Sequence, residues 1–344
     1  MKQIKTTDAV GHVLCHDITQ IIKDVTKDVV FKKGHVVREE DIPVLLSVGK
    51  ENLFVWEKQE GMLHENEAAE ILYEVCKNDY MKPSPVKEGK IEVIADIDGL
   101  FKLDSERLLK INSLGEIIIA TRHGNTIVKK GDKLAGTRVI PLIIEEEKIK
   151  KVQEIGESKP IMSILPFKHK KVGIVTTGSE IFHGRIKDTF GPVIVDKFGE
   201  FDSEILGQTI VNDNKNEITA AILEFVENGA DIVVCTGGMS VDPDDHTPGA
   251  IKDTGAEIVT YGAPVLPGAM MLVSYYNRNG REIPVLGLPG CVMYAKRTIF
   301  DLLLPRIMAD DKIIKSDIYR LGEGGLCLNC QVCTYPNCGF GKGR

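Results

Sequence analysis

The stretch DNKNEITAAILEFVENGADIVVCTGG, residues 213–238, decides the fold. Asn214 stands where a helix cap is needed, and Glu217 follows three residues on, as in a capping box. Ile218, Ala221, Ile222, Phe225 and Val226 then recur at the i, i+3, i+4, i+7, i+8 spacing that gives a helix one apolar face. Asn228-Gly229 closes the helix, because glycine enters the left-handed conformation at no steric cost. Asp231–Cys235 is a short apolar run of the kind that forms a strand buried on both faces, and Thr236-Gly237-Gly238 breaks it. A helix that returns to a buried strand and a glycine loop is one repeat of a parallel α/β sheet.

The same rhythm extends to both sides. Val172-Gly173-Ile174-Val175 reads as a buried strand, and Gly184–Phe198 as a weak helix carrying Gly191-Pro192. Downstream come a helix over Pro248–Asp253, strands over Ala256–Thr260, Met271–Tyr275 and Ile283–Leu286, and a helix over Met293–Met308. The expected fold class is α/β: a three-layer, mostly parallel sheet domain over residues 167–308, preceded by a β-rich mixed region.

In that region, residues 1–88 read as a small mixed α/β unit. It has β-rich runs at Val29-Val30-Phe31 and Leu53–Trp56, a short helical stretch after Arg38–Asp41 and a helix over Glu65–Tyr80. Lys82–Gly89 has the composition of a linker. Residues 89–150 read as β-rich, with strands over Ile91–Ile97, Glu116–Ala120, Thr126–Val128 and Thr137–Ile144 and a helix over Ser105–Ile111. Glu145–Lys151 is expected to be a solvated helix or connector.

The chain has 344 residues and a formal net charge of −7, which argues against bulk attraction to nucleic acid or to an anionic membrane. No apolar run reaches the roughly 18 residues that span a bilayer, and Met1–Asp8 is polar rather than secretory in pattern. These features point to the cytoplasm, where the eight cysteines would be thiols or metal ligands.

Ligands of parallel α/β sheets bind beyond the carboxyl ends of the strands, and three unusual loops fall there. They are Thr176-Thr177-Gly178-Ser179-Glu180, Thr236–Pro248 and Leu288-Pro289-Gly290. Glycines let backbone amides approach a phosphate, hydroxyls add donors, and a following helix would offer its positive end. Glu180, Asp242, Asp244 and Asp245 bring carboxylates to the same edge. Carboxylates beside a phosphate require a hard cation such as Mg²⁺ between them. His183 and His246 read as exposed or capping residues, and Cys291 as a small buried thiol.

The ordered set Thr177-Gly178-Ser179-Glu180, Gly237-Gly238-Met239-Ser240, Asp245-x-Thr247-Pro248, Pro267-Gly268 and Leu288-Pro289-Gly290 resembles the molybdopterin-binding domain of molybdenum-cofactor biosynthesis enzymes over residues 167–308. The β-rich first half resembles, without a diagnostic motif, the extra domains of molybdopterin molybdotransferases. The resemblance implies molybdopterin, or its adenylylated form, as ligand, with Mg²⁺ and with molybdate as co-substrate. By residue match, Thr176, Thr177, Gly178, Ser179, Gly237, Gly238, Ser240, Thr247, Pro267, Gly268, Pro289 and Gly290 would bind the pterin and its phosphate. Asp245 and Glu180 would serve catalysis, and with Asp242 would hold the metal. A receiving molybdenum or iron–sulfur enzyme is the implied partner, and homo-oligomers are compatible with the reading.

The chain also departs from the pattern. Ser179 stands where the molybdotransferases usually have Asp, Pro267-Gly268-Ala269-Met270 replaces Pro-Gly-Lys-Pro, and Leu288-Pro289-Gly290-Cys291-Val292 replaces Leu-Pro-Gly-Asn-Pro. Lys296 or Arg297 would have to supply the missing positive charge. The leading reading is an enzyme that inserts molybdate into adenylylated molybdopterin with Mg²⁺; these substitutions strengthen its alternative, a non-catalytic cofactor carrier. Gly178–Thr189 and Pro243-Asp244-Asp245-x-Thr247 are also similar to the competence-damage-inducible protein A family, which implies hydrolysis of a nucleotide pyrophosphate or a related amide. An inactive structural module is the third reading.

The tail, residues 322–344, carries Cys327, Cys330, Cys333 and Cys338 at the spacing C-x₂-C-x₂-C-x₄-C. Two-residue gaps let sulfurs converge on one centre, and Tyr335-Pro336-Asn337 is a turn that returns the fourth. An iron–sulfur cluster fits this spacing best, zinc is the next choice, and free thiols are the plain alternative. Gly322, Gly324, Gly325, Gly339, Gly341 and Gly343 around it suggest that the tail has little core of its own.

Overall fold

The computed structural model describes residues 2–22, 26–55, 60–157 and 159–343. The chain forms two units. The first comprises Met1–Asp96, Leu103–Arg122 and Lys130–Ser163; the second comprises Ile97–Lys102, His123–Lys129 and Ile164–Arg344.

In the first unit, strand Lys2–Lys5 pairs antiparallel with Asn52–Val55, and Ile18–Ile22 pairs with Thr26–Phe31. Trp56, expected in the second of these strands, lies outside the described residues. A small apolar cluster of Ala9, Leu14, Ile18, Val37, Leu45 and Leu53 holds this end together. Helix Glu65–Cys76 packs on a four-stranded antiparallel sheet of Met81–Pro83, Lys90–Ala95, Lys133–Val139 and Ile117–Thr121. Met81–Pro83 pairs with Lys90–Ala95, so Lys82–Gly89, read as a linker, is partly strand and turns back within this unit. The single strand expected over Thr137–Ile144 is two strands, Lys133–Val139 and Ile143–Glu145, because Pro141 cannot donate to a ladder. Glu145 ends the second of these strands, and Glu146–Lys151 opens a helix, Glu146–Gly156.

The second unit is the expected α/β domain. Its strands are β1 (Lys170–Thr177), β2 (Ser203–Val211), β3 (Ile232–Thr236), β4 (Glu257–Tyr261), β5 (Leu272–Arg278) and β6 (Arg281–Leu288). They form one sheet in the order β2-β1-β3-β6-β5-β4. β2, β1, β3 and β6 run parallel, and β5 and β4 are added antiparallel at one side. The helices are α1 (Ser179–Phe182), α2 (Phe190–Phe198), α3 (Lys215–Glu227), α4 (Thr247–Asp253), α5 (Ile299–Met308) and α6 (Lys315–Arg320).

Alternation along the strands divides the apolar residues between the two faces. Val172, Ile174, Ile232 and Val234 meet α2 and α5 in one cluster, through Ile194, Phe198, Phe300 and Leu303. Val175, Val233 and Cys235 meet α3 and α4 in the other, through Ile222, Phe225 and Ile251. Asn214 caps α3 as expected, its side chain accepting from the amides of Asn216 and Glu217. Gly173 is glycine for a packing reason, since a Cβ there would collide with the Phe225 ring.

Several elements differ from the sequence reading, two of them near the expected loops. β2 was not anticipated: it is a half-buried edge strand whose Gly207 and Gln208 dilute the apolar signal. The last long helix begins at Ile299 rather than Met293, because Thr298 and Asp301 form a capping box there, and Gly290–Met293 is a separate 3₁₀ turn. Among the described residues no helix is long and apolar enough to cross a membrane.

Candidate functional site

Register brings the three loops together. Thr176 of β1 lies opposite Thr236 of β3, and Thr236 lies opposite Leu288 of β6. The three parallel strands therefore end level, and their loops start side by side at one edge of the sheet.

Hydroxyls stitch the first two loops to each other. Thr247 donates through Oγ1 to the Gly237 carbonyl at 2.9 Å, and its oxygen lies 3.2 Å from Thr177 Oγ1. The one proton of Thr247 is committed to Gly237, so Thr177 is the donor of the second bond. Both threonines are buried. Thr236 donates to Thr176 Oγ1 at 3.1 Å, and Gln208 of β2 donates to the same oxygen at 2.8 Å. Gly237 and Gly238 have φ of +86° and +55°, and a Cβ on Gly237 would collide with the Thr177 carbonyl. A Cβ on Gly238 would stand 2.9 Å from Thr247 Oγ1.

Ser179 is held by groups that the sequence reading did not select. Its amide donates to Asp213 Oδ2 at 2.7 Å, and its hydroxyl reaches Asn212 Oδ1 at 2.7 Å and Asp213 Oδ2 at 3.0 Å. Asn212 and Asp213 follow β2, the strand that was not anticipated, so their place at this edge was hidden. Tyr261, at the end of β4, was also missed. It donates to the carbonyls of Met239 (2.9 Å) and Ser240 (3.2 Å) and so fixes the middle of the second loop. Burial, helped by the charge of Asp245, pushes its phenol above the ordinary range.

The acidic residues are dispersed. Asp245 accepts the Asp242 amide at 3.0 Å and closes a turn with it, while the Glu180 carboxylate lies over Gly178. Among the described residues no group of three or more His, Cys, Asp or Glu side chains is placed to hold a metal ion. Glu180, Asp242 and Asp245 are therefore not gathered into such a group, and neither are the four tail cysteines. The helix dipoles invoked for anion binding are also weaker than expected. α1 has four residues and α4 seven, and the third loop enters a 3₁₀ turn.

In the remaining elements, Pro289 is buried, Gly290 and Ser240 are exposed, and Gly268 abuts α5, where a Cβ would stand 2.5 Å from Ile299 Cγ2. Burial pushes the Cys291 thiol up, in keeping with an inert thiol. His246 precedes α4 without a side-chain cap, and His183 is exposed with its ring edge-on to Phe182. Lys296 and Arg297 lie before α5 rather than on it. Lys296 donates to the Gln331 carbonyl, and Arg297 pairs with Glu200 and Asp301.

Parts of the chain are similar to known proteins. Residues 173–309 match the family described as a probable molybdopterin binding domain, and residues 3–57 match a domain of unknown function. CinA-like proteins of Mycobacterium avium and Mycobacterium tuberculosis are 36% and 38% identical over 77 residues, 22% of this chain. The matched stretch spans only 18% of the length of each of those relatives. Among solved structures, the tungsten cofactor synthesizing protein MoaB of Pyrococcus furiosus aligns over 42% of this chain and 89% of its own, at 22% identity and a TM-score of 0.32. CinA of Thermoplasma acidophilum aligns over 40% and 98%, at 17% identity and a TM-score of 0.32. The match to the probable molybdopterin binding domain thus covers residues 173–309, which hold most of the six-stranded sheet.

Proposed function

We propose that the protein binds molybdopterin, or its adenylylated form, along the carboxyl edge of β1, β3 and β6, and holds it in the cytoplasm for a receiving molybdenum enzyme. The observation that carries this reading is the set of level strand ends whose loops are tied by the Thr177–Thr247–Gly237 bonds. Gly178, Gly237 and Gly238 leave backbone without a Cβ where a phosphate would approach. The donors offered to an anion are then hydroxyls and amides rather than helix ends. Glu180, Asp242 and Asp245 do not converge, so the proposal contains no magnesium-dependent step. Ala269 and Cys291 replace the Lys and Asn of the molybdotransferases that the chain resembles, which favours holding the pterin over inserting molybdate into it.

The test uses full-length protein purified from cells that make molybdopterin, with the released pterin oxidised and read by fluorescence. The expected result is near-stoichiometric pterin in the wild type and an affinity at least about tenfold weaker in the folded fraction of Thr247→Val, a loss of about 1.4 kcal/mol. Folded wild-type protein that carries no pterin and takes up none from solution would refute the proposal. Release of AMP from adenylylated molybdopterin in the presence of molybdate and Mg²⁺ would identify an insertase instead. A second reading, cleavage of a nucleotide pyrophosphate at the same edge, is favoured by the CinA-like relatives. Its signature would be turnover of a dinucleotide by pterin-free protein.

A further inference from the structure

The tail has fixed ends and an unformed middle. At its start, Leu266 donates its amide to the Gly325 carbonyl at 2.8 Å, and Cys327 donates to the Leu266 carbonyl at 2.8 Å. At its end, Tyr335 donates its hydroxyl to the Asp301 carbonyl at 3.0 Å, its ring lies 5.1 Å from the Arg297 guanidinium, and Phe340 is buried in the core of the α/β domain. Between these anchors residues 328–333 form neither helix nor strand. Leu328 and Val332 are 80% and 77% exposed, so nothing apolar shapes the segment from within. The four cysteines are free thiols: Cys327 and Cys338 are half-buried against the core, and Cys330 and Cys333 are exposed.

We propose that Cys327, Cys330, Cys333 and Cys338, as thiolates, form a thiophilic metal centre docked on the α/β domain, either one zinc ion or one iron–sulfur cluster. Consecutive sulfurs are separated by two or four residues, so the backbone tether between neighbours is at most about 10 to 18 Å even when extended. A turn brings such sulfurs to the roughly 2.3 Å metal–sulfur distance. In the structure the sulfurs are apart, so metal uptake closes the segment. Cys330 and Cys333 swing toward the two half-buried cysteines, which already stand on the core. Each thiol loses its proton to solvent as it binds; zinc needs no redox change, and a cluster needs none when ferrous and ferric iron are supplied together with sulfide. Closure is local because both anchors are already made. It also acts near the ligand edge: Leu266 precedes Pro267-Gly268, and Gln331 accepts from Lys296 at 2.8 Å.

The experiment uses the full chain, expressed and purified without oxygen, then offered Zn²⁺ alone or Fe²⁺ and Fe³⁺ with sulfide. Elemental analysis and the visible spectrum separate the two arms, since a cluster absorbs near 400 nm and zinc does not. The expected result is about one centre per chain, with the loaded thiols protected from alkylation. Cys330→Ser/Cys333→Ser is expected to lower metal content at least about tenfold. Thermal unfolding of its α/β domain should match that of metal-free wild type, because both side chains are exposed. Wild-type protein that takes up neither metal to a tenth of stoichiometry would overturn the proposal. So would a double variant that binds as much metal as the wild type.

Discussion

Replacing Thr247 by Val keeps the shape of the side chain and removes the hydroxyl that joins the first two loops. The methyl that takes the place of Oγ1 cannot donate to Gly237 or accept from Thr177, and Thr247 is fully buried, so water cannot substitute. Each buried polar group left without its partner costs about 1–3 kcal/mol, which for two groups gives about 2–6 kcal/mol. For a unit of this size, 1 kcal/mol shifts the midpoint by about 2–4 °C, so the expected fall in Tm is about 12 °C at the middle of both ranges. Thr247→Ser keeps the hydroxyl and loses one methyl, at about 1 kcal/mol. Calorimetry supported by near-UV circular dichroism reads the stability, and pterin titration of the folded fraction reads the site. Pterin affinity should fall in the Val variant and hold in the Ser variant. A Thr247→Val protein melting within about 1 °C of wild type, or a Ser variant falling as far as the Val variant, would refute the hydrogen-bond account.

Gly173→Ala should cost about 1–3 kcal/mol by overpacking against Phe225, read by urea denaturation. Asp301→Asn should destabilise the α/β domain by about 3–5 kcal/mol, because Lys197 (2.7 Å) and Arg297 (2.8 Å) both lose their shared carboxylate, whose side chain is only 3% exposed. Partial burial would raise the Asp310 carboxyl, but hydrogen bonds from Lys168 and Lys170 outweigh it and hold the group below its ordinary value. A depressed native pKa adds stability that is present above the unfolded pKa of about 3.9 and is lost as pH falls through the native one. The stability gap between wild type and Asp310→Asn should therefore be constant near neutrality and close in acid, as followed by urea midpoints against pH. Asp245→Asn should lower the Tyr261 titration midpoint, because burial still raises it but the neighbouring charge is gone; difference spectra against Tyr261→Phe isolate that tyrosine.

The parts of the fold legible in the sequence are those whose signal is local. Strand Ile232–Thr236 and helix Lys215–Glu227 stand out because every residue that faces the core is apolar and the caps are adjacent in the chain. Ser203–Val211 escaped because an edge strand needs apolar residues on fewer positions, so Gly207 and Gln208 look like loop. The start of the last long helix was misplaced for a different reason. Thr298 and Asp301 mark it, but Asp301 is held by Lys197, and a partner that far away in sequence leaves no periodic trace. The same division applies to the site. Glycine loops announced the edge, whereas Asp213 and Tyr261 reach it through strand order, which no single segment encodes. Glu180, Asp242 and Asp245 share the sheet edge in the sequence pattern, and side-chain hydrogen bonds there are set by the loop itself. Asp245 spends its carboxylate on the Asp242 amide.

The division of the chain between its two units bears on how the protein is made. Ile97–Lys102 and His123–Lys129 belong to the second unit although the rest of that unit begins only at Ile164. During synthesis these two segments leave the ribosome well before most of their unit exists. Thr126–Val128 and Gly99–Leu103 can pair at once, but the third strand of their small sheet, Met162–Pro166, comes later. The second unit is thus completed after the first, and its early segments wait for the later ones. A fragment cut at the family boundary, 173–309, would lack both early segments and the stretch that ends in Phe340. Such a fragment is a poor surrogate for the intact chain, and dissecting this protein calls for point substitutions rather than truncation.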